Sequence, residues 1–134
     1  MEFLQPPDWA APKGYANGVA VDCTAGTRLV FIGGQIGWNA QQQFTSDDFV
    51  AQAEQALRNT VAVLAAAGGR PEHIARLTWY VTDRDEYVAG LRALGAAYRA
   101  VMGRHFPAMT CVQVARLIEH RAKVEIEATA VITR

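Results

Sequence analysis

Apolar residues recur every third or fourth position in two stretches of the chain and every second position in three others, so helical and extended signals alternate. The first helical stripe is Phe49, Ala53, Leu57, Val61 and Leu64. Thr45-Ser46-Asp47-Asp48 precedes it with the spacing of a capping box, and Gly68-Gly69 ends it. The second stripe is Tyr87, Leu91, Leu94, Tyr98 and Val101, opened by Asp83 and Glu86 and closed by Gly103 and Pro107. Residues 73–82 read as a strand with Ala75, Leu77, Trp79 and Val81 on one face. Residues 109–117 and 122–132 read as a hairpin joined by Ile118-Glu119-His120-Arg121. In its second arm Val124, Ile126, Ala128, Ala130 and Ile132 share one face; Lys123, Glu125, Glu127, Thr129 and Val131 share the other.

Residues 1–14 hold three of the five prolines and read as an irregular lead-in. An earlier hairpin is predicted from strands 15–23 and 27–35 around Thr24-Ala25-Gly26. Leu29-Val30-Phe31-Ile32 is apolar at consecutive positions, which predicts burial on both faces. Gly33-Gly34 interrupts that strand, as at a bulge or where a ligand comes close. The order is β-β-α-β-α-β-β in one domain, residues 1–134. That is an α+β fold, a mixed sheet with two helices packed on one face. The other face carries Tyr80, Val112, Val114, Thr129 and Val131, too apolar to sit in water, and no further element remains to cover it. A homo-oligomer is expected.

Composition narrows the function. Thirteen basic residues balance thirteen acidic ones, hydrophobic residues make up 51% and charged residues 19%. Disorder is excluded by the hydrophobic share, and the absence of a basic excess argues against nucleic acid as a partner. The low share of charge fits a surface partly covered by another subunit. No run approaches the roughly 18 apolar residues of a membrane span, and the N-terminus lacks a signal-peptide pattern. Two distant cysteines, Cys23 and Cys111, do not form a disulfide framework, so a reduced, cytoplasmic protein is expected. His73, His105, His120 and the cysteines show no close-spaced ligand pair. With no phosphate loop, dinucleotide fingerprint or nucleophile elbow either, neither metal nor cofactor is predicted.

One segment carries more. Phe106-Pro107-Ala108-Met109-Thr110-Cys111-Val112-Gln113-Val114-Ala115-Arg116-Leu117, followed by Lys123-Val124-Glu125-Ile126-Glu127-Ala128, resembles the C-terminal signature of the Rid/YjgF family of reactive-intermediate deaminases. That family is also labelled endoribonuclease L-PSP. Gly14-Tyr15-Ala16-Asn17-Gly18-Val19 and Phe31-Ile32-Gly33-Gly34-Gln35-Ile36 resemble two further motifs of the family, in the same order. The resemblance implies a chorismate-mutase-like fold, a homotrimer built through the sheets, and small-molecule ligands in clefts between subunits. In deaminating members an imine or enamine is hydrolysed to a keto acid and ammonia. An arginine holds the substrate carboxylate and a glutamate positions or activates water.

Carried over position by position, that glutamate falls on Glu125, the pocket tyrosine on Tyr15 and the pocket cysteine on Cys111. The arginine falls on Met109, whose thioether has no donor for a carboxylate. The family's serine falls on Gly33, beside Gly34, and a helix asparagine falls on Gly95. The implied pocket is therefore larger and less polar. Ordinary roles stand beside these. Glu125 as a strand carboxylate held by Lys123 or Arg116, Cys111 as a small buried hydrophobe, Tyr15 and Met109 as packing, and Gly33-Gly34 as a bulge alone are each consistent with the sequence. Trp38 and Trp79 read as packing residues, and Arg104-His105 as a helix-end cation or a replacement for the lost arginine.

Three functions follow as expectations. The first is an enamine or imine deaminase-like hydrolase with Glu125 as base, made responsive by a nearby apolar wall such as Met109, with larger or neutral substrates. The second is a non-catalytic metabolite-binding trimer. The third is a ribonuclease, suggested by the family label and opposed by the neutral charge.

Overall fold

The computed structural model describes residues 1–133. Its strands are β1 (Glu2–Leu4), β2 (Gly18–Ala20), β3 (Arg28–Ile36), β4 (Ile74–Val81), β5 (Ala108–Gln113) and β6 (Val124–Ile132). Helix α1 (Phe49–Ala66) joins β3 to a single 3-10 turn (Pro71–His73) and β4, and helices α2 (Arg84–Ala89) and α3 (Leu91–Met102) join β4 to β5. The main sheet has the order β3-β6-β4-β5. Strand β6 is antiparallel to both neighbours, and β5 runs parallel to β4. The architecture is α+β with the helices on one face, as the alternation predicts.

The core lies between that face and the helices. Leu57 and Leu64 of α1 meet Ile74 and Leu77 of β4 and Val124 and Ile126 of β6, all fully buried. Leu94, Tyr98 and Met102 of α3 join the same cluster. Among the described residues, no helix is long and apolar enough to cross a membrane.

Several expectations are corrected. The predicted terminal hairpin does not form, because β6 inserts between β3 and β4 while β5 pairs with β4 at the sheet edge. The inward positions of β6 are the most uniformly apolar in the chain. A hairpin beside β5 would leave them at the margin, whereas the central slot buries them. The early hairpin also fails. The turn forms, with Thr27 N–H donating to Thr24 C=O at 3.1 Å. Yet β3 pairs with β6, and β2 pairs with β1 in a separate ribbon, Glu2 opposite Ala20. The lead-in thus contains a strand. The second predicted helix is two helices separated at Gly90, which ends α2 and opens α3. The first helix is capped by Asp48, which accepts from Ala51 N–H at 2.9 Å, rather than by Thr45. A bulge between Ile74 and Arg76 turns Ile74 inward where the alternation had placed Ala75. Finally, β3 is buried on one face only. Val30 and Ile32 pack on the core, but Leu29 and Phe31 are 53% and 76% exposed.

Candidate functional site

The alternation of β6 that buries Val124 and Ile126 sends Glu125 and Glu127 to the sheet face away from the helices. There the Tyr80 hydroxyl donates to Glu127 Oε1 at 2.7 Å. That bond to a carboxylate raises the Tyr80 pKa above the usual tyrosine range, with lesser contributions from desolvation and from the charges of Glu127 and Glu125. Glu125 is half-buried and, among the described residues, has no hydrogen-bond or ion-pair partner. Lys123 pairs with Glu86 instead, at 3.3 Å, so neither of the expected cations holds Glu125.

The carboxylate of Glu125 lies over Gly34. A Cβ added there would sit 2.7 Å from Glu125 Cδ, so any larger residue would displace the carboxylate from this position. Gly33 and Gly34 form the bulge that the sequence suggests, falling where the β3–β6 register shifts between Ile32 and Gln35. A Cβ on Gly33 would meet open space.

Met109 and Cys111 face the opposite way, packing against the core on the helix side of β5. Met109 lines a cavity of about 290 Å³ between α3 and the sheet, with Trp79, Tyr87, Leu94, Gly95, Tyr98 and Phe106. Cys111 lines a neighbouring hollow with Tyr87, Val81 and Val88. Burial pushes the Cys111 thiol up, and the hydrogen bond from Tyr87 offsets this only in part. Such a thiol is a poor nucleophile at neutral pH. Burial likewise raises the Tyr98 hydroxyl, which donates to the His105 carbonyl at 2.6 Å.

Tyr15 is separate again. It is exposed and lines a surface depression with Phe3, Arg104 and Phe106. The segment around it is pinned beside the start of β5 by Ala16 N–H donating to Pro107 C=O at 2.9 Å. Within one chain, the six residues singled out from sequence therefore do not form one site. Glu125 and Gly34 touch on the open face, with Gly33 beside them, while Met109 and Cys111 lie behind the sheet and Tyr15 lies past its edge. The period of two decides this: residues 109 and 111 on β5 share their face with residues 124 and 126 of β6, not with Glu125. Within one copy, the apolar wall expected beside Glu125 is consequently not Met109.

Two residues of the Met109 cavity escaped the sequence reading, Arg99 and Lys13. The candidates for a replacement cation lie elsewhere. Arg104 lies by Tyr15, the His105 ring is 2.6 Å from the Ile74 carbonyl, and Arg116 lines a hollow with His120 and Arg121. The usable signal is Gly95 and Arg99, four apart on one helix. A helical side chain leans back over the preceding turn, so a long cation at 99 covers a glycine at 95. Among the described residues, no group of three or more His, Cys, Asp or Glu side chains gathers as a metal site.

Comparison with known proteins gives concordant matches. The family described as Endoribonuclease L-PSP matches residues 9–132. A 2-iminobutanoate/2-iminopropanoate deaminase of Salmonella typhimurium is 37% identical over 106 residues, covering 77% of this chain and 79% of that protein. Protein DfrA of Myxococcus xanthus is 39% identical over 129 residues, covering 90% and 89%. Among solved structures, a Rid-family protein of unknown function from Yersinia pestis superposes with a TM-score of 0.85 at 30% identity, covering 98% of each chain. The structure of Escherichia coli TdcF with bound serine has a TM-score of 0.68 at 30% identity, covering 99% of this chain and all of that one.

Proposed function

This chain belongs to the endoribonuclease L-PSP family, the Rid/YjgF family, and on that premise we propose that it is an imine or enamine deaminase-like hydrolase working in clefts between three copies of itself. The observation that carries the reading is Glu125, a half-buried carboxylate with no partner among the described residues, seated over a glycine that leaves it space. An ionised carboxylate so placed takes a proton from water as the oxygen adds to the imine carbon. Passing that proton to the nitrogen completes the carbinolamine; the carboxylate then takes the hydroxyl proton and hands it to the nitrogen, which leaves as ammonia while the carbonyl forms. For an enamine, protonation of carbon to give the imine comes first.

The trimer is part of the proposal. Leu29, Phe31 and Val112 are exposed on the sheet face that the helices leave uncovered. A neighbouring copy covers them and unites groups that one copy keeps on separate faces. Met109, in the place of the family arginine, shifts preference from small imino acids towards bulkier, more apolar bodies.

The test is ammonia release from a panel of imines generated in situ, small and bulky, by the wild type and by Glu125→Gln. The expected result is turnover of bulky substrates and a loss of kcat of about 100-fold or more in the variant, the usual scale for a lost general base. Equal turnover in Glu125→Gln overturns the role given to Glu125. A second reading, a trimer that binds a metabolite without converting it, is favoured by Met109, since a thioether cannot hold a carboxylate. Saturable binding with no ammonia from any substrate supports that reading instead.

A further inference from the structure

The geometry points to Arg99 as the anion-binding group of the Met109 cavity, with Lys13 beside it, and to a carboxylate with a bulky apolar body as the class of ligand. The inference rests on the proposed function, in which Met109, and so the cavity that it lines, faces the substrate. It adds where the charge is held and what the rest of the molecule must look like.

Gly95 is the first observation. A Cβ there would lie 3.3 Å from Arg99 Nη1, so the guanidinium occupies the space above the glycine at the cavity edge. Glycine thus makes room for the cation on α3. The second is that Arg99 is unspent. Among the described residues its guanidinium makes no ion pair or side-chain hydrogen bond, although five other basic side chains pair with carboxylates. The third is the sign of the lining: Lys13 is a second cation, and no Asp or Glu is present to neutralise either. On the walls, the Trp79 indole N–H is buried with no partner among the described residues, and the Tyr98 hydroxyl donates to the His105 carbonyl. A guanidinium offers a carboxylate two parallel donors, which a thioether at position 109 cannot.

The remaining lining decides the body. Trp79, Tyr87, Leu94, Phe106 and Met109 line about 290 Å³ of mostly apolar space, enough for a ring or branched chain behind a carboxylate. A neutral ligand would leave both cations unpaired at its edge. The carboxylate is thus held from α3, while Met109 on β5 contributes apolar wall.

The test uses the full chain and calorimetry with two isosteric probes, phenylacetate and phenylacetamide, at low salt. The expected result is that wild type binds the acid about tenfold more tightly than the amide, the scale of a charge-assisted hydrogen bond. Arg99→Gln should abolish that difference and Arg99→Lys should keep part of it. Arg99 is exposed, so the variants fold, and unchanged thermal melting verifies this. Equal affinity for acid and amide in the wild type, including no binding of either, overturns the inference. So does an undiminished difference in Arg99→Gln. Calorimetry reads no turnover. A chain that selects acids through Arg99 but releases no ammonia overturns the deaminase reading alone; one that deaminates without preferring acids overturns this inference alone.

Discussion

Gly34 and Gly37 sit three residues apart, and adding one methyl group to each has different consequences. At Gly34 the new Cβ meets the side chain of Glu125, whose Cδ and Cγ lie 2.7 and 2.9 Å away. A flexible side chain can swing aside, so Gly34→Ala should fold with Tm lowered by only a few degrees. It should also displace the carboxylate, reducing deamination about tenfold or more. At Gly37 the Cβ would fall 2.6 Å from the backbone Cα of Gln52, which cannot yield. Gly37→Ala should therefore cost stability, about 2–4 kcal/mol by overpacking. Thermal melts alongside ammonia assays separate the two. A Gly34→Ala protein with full activity would show that the position of Glu125 is immaterial. The sequence singles out Gly34, with Gly33, as a bulge or a place of close approach and leaves Gly37 unremarked; which glycine faces a carboxylate is a matter of register.

Between elements, the decisive side chain is a buried glutamine. Gln52 on α1 donates through Nε2 to Ser46 C=O at 3.0 Å and to Arg121 C=O at 3.1 Å, and its Oε1 accepts from Lys123 N–H at 2.9 Å. It ties the start of α1 to the chain entering β6, and so sets how β6 slides into the centre of the sheet. Gln52→Leu would fill the same space but strand three backbone groups. We expect a loss of roughly 2–4 kcal/mol, or about 10 °C in Tm for a domain of this size, read by calorimetry. A change under 2 °C would show that water replaces the amide. The helical stripe hides this residue, because it lies one position from Ala53 on a face that is apolar apart from Gln52 and Thr60. The helices themselves are legible, since a 3.6-residue period and a glycine stop are local properties. The partner of each strand is not, because alternation states which side of a strand is inward and says nothing about its neighbour.

For the whole molecule, the uncovered sheet face is the surface of the proposed assembly. Phe31 is 76% exposed and Leu29 53%, an arrangement that the proposed second copy would relieve. Phe31→Glu changes no core contact, so it should leave the fold intact while placing a charge in the proposed interface. Light scattering after size-exclusion should show trimer mass for the wild type and about one third of it for Phe31→Glu. An unchanged mass in the variant places the contact elsewhere. The sequence anticipates the uncovered face by counting, since too few elements remain to cover it, but assigns it to Val112, Val114, Thr129 and Val131. The most exposed member is Phe31, on a strand read as buried twice over.

The sequence by itself determined the family, the α+β class, the stripe of the first helix, the inward face of β6 and the glycine bulge. Each is written in local order or in motifs that keep their spacing. Only the tertiary structure decided that β6 lies between β3 and β4, that Met109 and Glu125 look away from each other, and that Arg99 stands at the cavity edge over Gly95. Those facts depend on non-local pairing and on the direction of side chains in space. A one-residue change of register reverses a strand's faces, and no local pattern records which register the assembled sheet adopts.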